Sequence, residues 1–114
     1  MEHTMNLQPS PFWKIKNREK TIEMRLYDEK RQKIRPGDTI RFCLSENTEQ
    51  SILTKVLALY VFDSFEELYA KLPLLECGYT EDTVDSACPE DMEVYYPPEK
   101  QKQFGVVGIR IALI

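Results

Sequence analysis

An acid and a base stand two positions apart within residues 18–27, where polar and apolar side chains alternate as on a β-strand. The polar face carries Thr21, Glu23, Arg25 and Tyr27, and the apolar face carries Ile22, Met24 and Leu26. Lys20 adds a third charge just ahead of the pair. If the apolar face is buried, the charged face must look into solvent or into a cleft, where such pairs recognise ligands or transfer protons.

Lys20, Glu23 and Arg25 would support two kinds of chemistry. In a binding site, Arg25 and Lys20 meet phosphate or base acceptors, while Glu23 accepts from an amino group or orients Arg25. In an enzyme, either Lys20 or Glu23 acts as general base on an amide or phosphodiester, which for Glu23 requires a raised pKa. Arg25 would then stabilise the developing anion. On an open surface the Glu23–Arg25 pair would contribute only about 0 to 1 kcal/mol.

The composition of the chain argues against several other chemistries. His3 is the only histidine and falls within residues 1–6, which we expect to form a loose leader, so histidine-dependent nucleophilic catalysis lacks a base. The three cysteines lack CxxC spacing and predict reduced thiols rather than disulfides or a zinc site. The acidic clusters at residues 81–85 and 90–93 contain no histidine. We therefore predict no metal and no cofactor.

Charge is unevenly distributed along the chain. Residues 1–41 hold ten basic and six acidic side chains, whereas residues 42–114 hold five and thirteen. The basic residues between Lys14 and Arg35 are dense enough for phosphate contacts, and they are equally compatible with a solvated basic surface. The chain contains neither a membrane-length apolar stretch nor a signal-peptide pattern, so we expect a cytoplasmic protein without a membrane partner.

The elements that would position these residues are those of a single domain over residues 1–114. The pattern predicts strands over residues 21–27, 39–44, 52–62 and 104–114, and helices over residues 9–17 and 64–72. We expect Ser10 to cap the first helix, Asp63 or Ser64 to cap the second, and the third strand to bulge near Ala58. Segment 74–103 is looser, with short helices predicted at 80–86 and 89–96. This order predicts an α+β fold, a curled and largely antiparallel sheet or partial barrel with helices covering its openings.

The combination of these segments resembles the ASCH domain. The similarity lies in Lys-Asn-Arg-Glu-Lys-Thr-Ile-Glu-Met-Arg after the first helix, Arg-Pro-Gly-Asp-Thr-Ile-Arg-Phe, the Ser-Phe-Glu-Glu-Leu helix and a terminal Phe-Gly-Val-Val strand. That family belongs with the PUA-like β-barrels, so the resemblance implies a barrel with an RNA- or nucleotide-sized cleft. The Lys-x-x-Glu-x-Arg segment, here Lys20, Glu23 and Arg25, would line that cleft. RNA or a small nucleotide or nucleoside is the partner that this resemblance implies.

The chain departs from the family pattern at two places. Asn17 and Arg18 stand where the family usually has a glycine, so we expect Asn17 to make the left-handed turn into the strand. Family members that resemble amidohydrolases of acetylated cytidine carry threonine where this chain has Glu23. Thr21 lies on the same face, but about 6 to 7 Å away along the strand, which is far from a catalytic alignment.

Together with the charged strand face, the resemblance implies an RNA- or nucleotide-binding domain whose ligand contacts Lys20, Thr21, Glu23, Arg25 and Tyr27. The alternative is an enzyme, either a small amidohydrolase of acetylated cytidine-type nucleosides or a nuclease-like RNA-processing enzyme, with Lys20 and Glu23 as catalytic residues. A nearby aromatic side chain would stack on a base, and the candidates are Trp13, Tyr27, Tyr95 and Tyr96. Strand parity favours Tyr27 among them.

Overall fold

Five strands form one curled sheet in the computed structural model, which describes residues 1–114. They are β1 (Glu2–Leu7), β2 (Ile22–Leu26), β3 (Thr39–Leu44), β4 (Asn47–Phe62) and β5 (Val106–Leu113). Their order across the sheet is β1-β3-β4-β5-β2. The β1–β3 pair is parallel and the other three pairs are antiparallel. The predicted α+β half-barrel is thus confirmed, with a mixed sheet.

Three helices pack on this sheet: α1 (Pro9–Lys16), α2 (Phe65–Lys71) and α3 (Pro98–Phe104). The segment between α2 and α3 holds three short 3₁₀ turns, at Leu74–Cys77, Val84–Ser86 and Pro89–Met92, where sequence predicted two short helices at 80–86 and 89–96. Helix α3 was not predicted, because it buries a glutamine, Gln101, rather than an apolar stripe. No helix combines the length and the apolar character that a membrane crossing needs.

Two buried clusters lie on opposite faces of the sheet. The larger contains 13 residues, among them Phe12 and Ile15 of α1 and Phe42 of β3. The smaller contains 7 residues and packs the apolar face of β2 against α2; it comprises Ile22, Met24, Leu26, Phe65, Leu68, Cys77 and Val106. The face of β2 predicted to be apolar is therefore buried, and its polar face turns to the other side.

The N-terminal residues are ordered, which corrects the prediction of a loose leader over residues 1–6. They form β1, whose register with β3 runs from Glu2 opposite Thr39 to Leu7 opposite Leu44. Alternate side chains of β1 are buried, His3 included. The Nε2 atom of His3 lies 2.9 Å from Oδ2 of Asp38. The burial of every second side chain of β1, together with the contact between His3 and Asp38, holds the N-terminal segment in place.

The predictions of helix caps and of a strand bulge were partly confirmed. Ser64 caps α2 as predicted, and its Oγ accepts from the N–H of Glu67 at 3.3 Å. The bulge of β4 falls between Val56 and Ala58, also as predicted. The prediction that Ser10 caps α1 is wrong, since the helix already begins at Pro9, whose fixed φ suits a first helical position.

The left-handed turn between α1 and β2 falls one residue later than predicted. Asn17 has a φ of −87°, and Arg18 instead has a φ of 65°. Asn17 ends the helix by donating its N–H to carbonyls of the preceding turn, so the chain reverses at Arg18.

Candidate functional site

Lys20, Glu23 and Arg25 form one buried ion-pair network. Nζ of Lys20 lies 2.7 Å from Oε1 of Glu23. Nε of Arg25 donates to the other carboxylate oxygen, Oε2, also at 2.7 Å. Only 2% of Glu23 and 8% of Lys20 are exposed to solvent. Both carboxylate oxygens are therefore occupied by cations within the protein.

Neighbouring elements hold each member of this network. Nη2 of Arg25 donates to the carbonyl of Asn6 at 3.0 Å, which connects β2 to β1, the two edge strands of the half-barrel. Gly78 packs against Lys20, because a Cβ at position 78 would lie only 3.3 Å from Cδ of Lys20. Gly78 has a φ of 111°, a conformation that suits glycine. The fold thus fixes both cations on either side of Glu23.

The electrostatics of the network keep Glu23 and Arg25 charged. Burial alone would raise the pKa of Glu23, but the charges of Lys20 and Arg25 and their hydrogen bonds hold it below its ordinary value. Burial also opposes the charge of Arg25, yet Glu23 and the neighbouring Tyr96 raise the pKa of the guanidinium. The raised pKa that a Glu23 general base requires is therefore not present.

The network lines a cleft of about 320 Å³, which we call the β2 cleft. The other polar or aromatic residues that line it include Asn6, Gln8, Ser45, Tyr95 and Tyr96. Apart from Lys20, Glu23 and Arg25, no charged residue lines it. The volume lies at the lower end of the range for small-molecule pockets, about 300 to 1,000 Å³.

One side of the β2 cleft is formed by Tyr95 and Tyr96, the tyrosine wall. Tyr96 stacks on Phe65 of α2, with ring centroids 5.9 Å apart and planes inclined by 18°. Its carbonyl accepts from Nε2 of Gln101 at 2.9 Å, and Oε1 of Gln101 accepts from the N–H of Phe65 at 3.1 Å. Tyr95 is 66% exposed. Tyr96 is therefore anchored by α2 and α3, while the ring of Tyr95 is open to a ligand.

The structure places Thr21 and Tyr27 outside the β2 cleft. Oγ1 of Thr21 donates to Oε1 of Glu76 at 2.9 Å, and Glu76 pairs with Arg110 at 2.7 Å. Thr21 lines a different depression, of about 250 Å³, which Lys20 also lines. Tyr27 packs against the larger buried cluster. The two residues lie one position beyond either end of β2, so they stand past the limits of the cleft.

Trp13 also lies outside the β2 cleft, with its ring edge-on to Phe12. The candidate aromatics that reach the cleft are thus Tyr95 and Tyr96. Sequence reasoning did not identify Asn6, Gln8 or Ser45, which come from the end of β1, the residue after it and the turn after β3. The alternation of polar and apolar residues along β1 was the sequence signal that could have identified this strand.

No group of three or more histidine, cysteine, aspartate or glutamate side chains is placed to hold a metal ion.

Comparisons with known proteins support the assignment of the fold. The family model of the ASCH domain matches residues 5–114. The chain belongs to the ASCH domain family. This places the ASCH domain described here among PUA-like folds. A search of curated proteins gave no match.

Solved structures resemble this ASCH domain along its whole length. The crystal structure of the hypothetical protein PH0355 is 36% identical, covers 100% of both chains and has a TM-score of 0.81. The solution structure of protein PF0455 from Pyrococcus furiosus is also 36% identical, covers 100% of this chain and 98% of its own, and has a TM-score of 0.75. The ASCH protein from Zymomonas mobilis is 14% identical over 97% of this chain and 66% of its own, with a TM-score of 0.65. At that identity the likeness to the Zymomonas mobilis protein concerns the fold alone.

Proposed function

We propose that this ASCH domain binds RNA, or a nucleotide or modified nucleoside derived from it, in the β2 cleft. The observation that carries the proposal is the buried Lys20–Glu23–Arg25 network, which lines a nucleotide-sized cleft beside two tyrosines. Fixed cations next to an exposed aromatic ring are what single-stranded nucleic acid requires, since phosphates bind the cations and a base stacks on the ring.

The charge balance of the β2 cleft favours a ligand that presents hydrogen-bond acceptors. Two cations and one carboxylate line it, and each oxygen of that carboxylate already accepts from Lys20 or Arg25. Glu23 therefore acts by orienting the two cations. Nε and Nη2 of Arg25 donate to Glu23 and to the carbonyl of Asn6, and Tyr96 lies beside the guanidinium, so the cleft presents to a ligand a cation that is held in place. Phosphate oxygens and base carbonyls are suitable acceptors.

The amidohydrolase alternative is less well supported by the geometry. Thr21, the nearest hydroxyl in sequence, donates to Glu76 and does not line the β2 cleft. The pKa of Glu23 is lowered by its two cationic partners, so its carboxylate is a weak base. Neither group is arranged to attack an amide held in the cleft.

Titration of short single-stranded RNAs and nucleosides against the wild type and Arg25→Ala tests the proposal. We expect the substitution to weaken binding at least tenfold, because it removes a fixed cation from the cleft. Arg41→Ala is the matched control, since Arg41 pairs with Glu2 on an exposed surface outside the cleft. Equal binding by wild type and Arg25→Ala would remove Arg25 from the site.

An assay with acetylated cytidine separates binding from catalysis. We expect the wild-type protein to release no acetate, since Lys20 and Glu23 are paired with each other and Thr21 lies outside the β2 cleft. Acetate release that is abolished in Lys20→Ala, but retained in Lys16→Ala, would replace the binding proposal by the amidohydrolase alternative.

A further inference from the structure

The β2 cleft adjoins a second, smaller space of about 150 Å³, which we call the Lys14 compartment. The two spaces share the side chains of Pro11, Lys20 and Met24. The Lys14 compartment is further lined by residues of α1 and of the segment after Leu74–Cys77, namely Ser10, Lys14, Gly78 and Tyr79. Lys20 therefore stands where one ligand could contact both spaces.

Gly78 brings the two lysines to the same place. Nζ of Lys14 donates to the carbonyl of Gly78 at 2.7 Å. The side chain of Lys20 lies over the same glycine, so that a Cβ at position 78 would stand 3.3 Å from Cδ of Lys20. Lys14 is half-buried. Its ammonium group is thus held at the compartment by one hydrogen bond, and its two remaining protons are available to a ligand.

The Lys14 compartment has an excess of positive charge. Lys14 and Lys20 are its only charged lining residues. Lys20 is compensated by Glu23, whereas Lys14 forms no salt bridge with any carboxylate. Asp91 accepts from the hydroxyl of Tyr79, a lining residue, at 2.7 Å, but does not itself line the space. A small pocket with one uncompensated ammonium favours an anion over a neutral group.

We propose that the Lys14 compartment binds a second phosphate, so that the domain recognises a nucleotide flanked by phosphates within an RNA strand rather than a free mononucleotide. This inference rests on the proposed function of the β2 cleft. One nucleotide occupies the β2 cleft, the phosphate on one side of its ribose contacts Arg25, and the phosphate on the other side reaches Lys14 past Lys20.

Nucleoside 3′,5′-bisphosphates isolate the second phosphate, because they differ from the 5′- and 3′-monophosphates by that group alone. We measure binding of all three forms of adenosine, cytidine, guanosine and uridine to the wild type by calorimetry. For the nucleoside that binds best, we expect the bisphosphate to bind about tenfold more tightly than either monophosphate. Lys14→Gln, which keeps a donor to the Gly78 carbonyl without the charge, should abolish this gain. It should leave unchanged the binding of the monophosphate whose single phosphate contacts Arg25.

Lys16→Gln is the matched control, because Lys16 lies on the same helix with its ammonium 5.2 Å from the ring of Trp13, outside both spaces. It should retain the full gain. The inference would be overturned if the wild type bound bisphosphate and monophosphates equally, or if the gain survived in Lys14→Gln. In either case, Arg25-dependent binding of monophosphates would leave the proposed function standing. Absence of any Arg25-dependent binding would overturn both.

Discussion

At the scale of single residues, the β2 cleft depends on the carboxylate of Glu23. It is the only negative charge between two cations, and just 2% of the residue is exposed. A charge in that position is worth far more than a surface ion pair, because its loss leaves Lys20 and Arg25 buried together without compensation.

Glu23→Gln is therefore expected to destabilise the protein strongly. Removal of one partner from a buried ion pair lowers the free energy of unfolding by about 3 to 5 kcal/mol. Urea denaturation followed by circular dichroism measures the change. Glu49→Gln, at an exposed position of β4, is the control and should change stability by less than about 0.5 kcal/mol. A loss for Glu23→Gln as small as that of the control would show that the network contributes little.

The pairing of Glu23 with Arg25 was accessible from the sequence, because residues two apart on a strand share a face. The same parity argument also included Thr21 and Tyr27, and the structure places neither in the β2 cleft. Parity did not fail at Tyr27, which packs against the same buried cluster as the β5 residues opposite Glu23 and Arg25. The β2 cleft covers only part of this row of side chains, and its extent depends on the surrounding elements.

At the scale of elements, Asp38 holds β1 against the remainder of the sheet. The carboxylate contacts His3 at 2.9 Å and the Met1 amine at 3.3 Å, and it accepts from the N–H of Arg35 at 3.0 Å. The hydrogen bonds from His3 and Arg35 lower the pKa of Asp38 to about 2 from an ordinary value of 3.8.

This lowered pKa predicts an acid-dependent loss of stability. A group with a depressed folded-state pKa stabilises the protein above its unfolded-state value and ceases to do so as pH falls through the folded-state value. The contribution of Asp38 is therefore complete above about pH 4 and lost by about pH 2. Melting temperatures of wild type and Asp38→Asn between these pH values should converge as the pH falls. A constant difference across the range would contradict the assignment.

Gly105 connects α3 to β5 in a conformation that is essentially restricted to glycine, with φ 74° and ψ −174°. A Cβ there would lie 2.9 Å from the carbonyl oxygen of Phe62. Gly105→Ala should therefore lower the free energy of unfolding by about 3 kcal/mol. Gly37→Ala is the control, because Gly37 also has a positive φ, of 94°, but nothing within 4 Å. It should lose about 1 to 2 kcal/mol. Equal losses in urea denaturation would show that contact with Phe62 is unimportant.

The elements differed in how well the sequence predicted them. Strand β3 was predicted with its observed bounds, since a Pro-Gly turn precedes an alternating run. Strand β1 was missed, because its stability comes from parallel pairing with a strand more than thirty positions away. Helix α3 was missed because its one buried residue, Gln101, acts through hydrogen bonds to Phe65 and Tyr96. Hydrogen bonds of this kind produce no periodic pattern of apolar residues from which a helix could be predicted.

At the scale of the whole molecule, the candidate site lies where the half-barrel stays open. Strands β1 and β2 are the two edges of the sheet, and Arg25 connects them through the carbonyl of Asn6. The β2 cleft occupies this opening, with the tyrosine wall on one side. Sequence could predict the curled sheet and the charged face, but the partners from β1 and from residues 92–96 required the long-range fold.

The most direct test of the site is a nuclear magnetic resonance titration of the uniformly ¹⁵N-labelled protein with a short single-stranded RNA. We predict that amide shift changes concentrate at Asn6 to Gln8, at Lys20 to Arg25, at Ser45 and at Tyr95 and Tyr96, and that Arg25→Ala removes them. Shift changes confined to the exposed basic residues Lys30, Lys33 and Arg35, with none around the β2 cleft, would contradict the account.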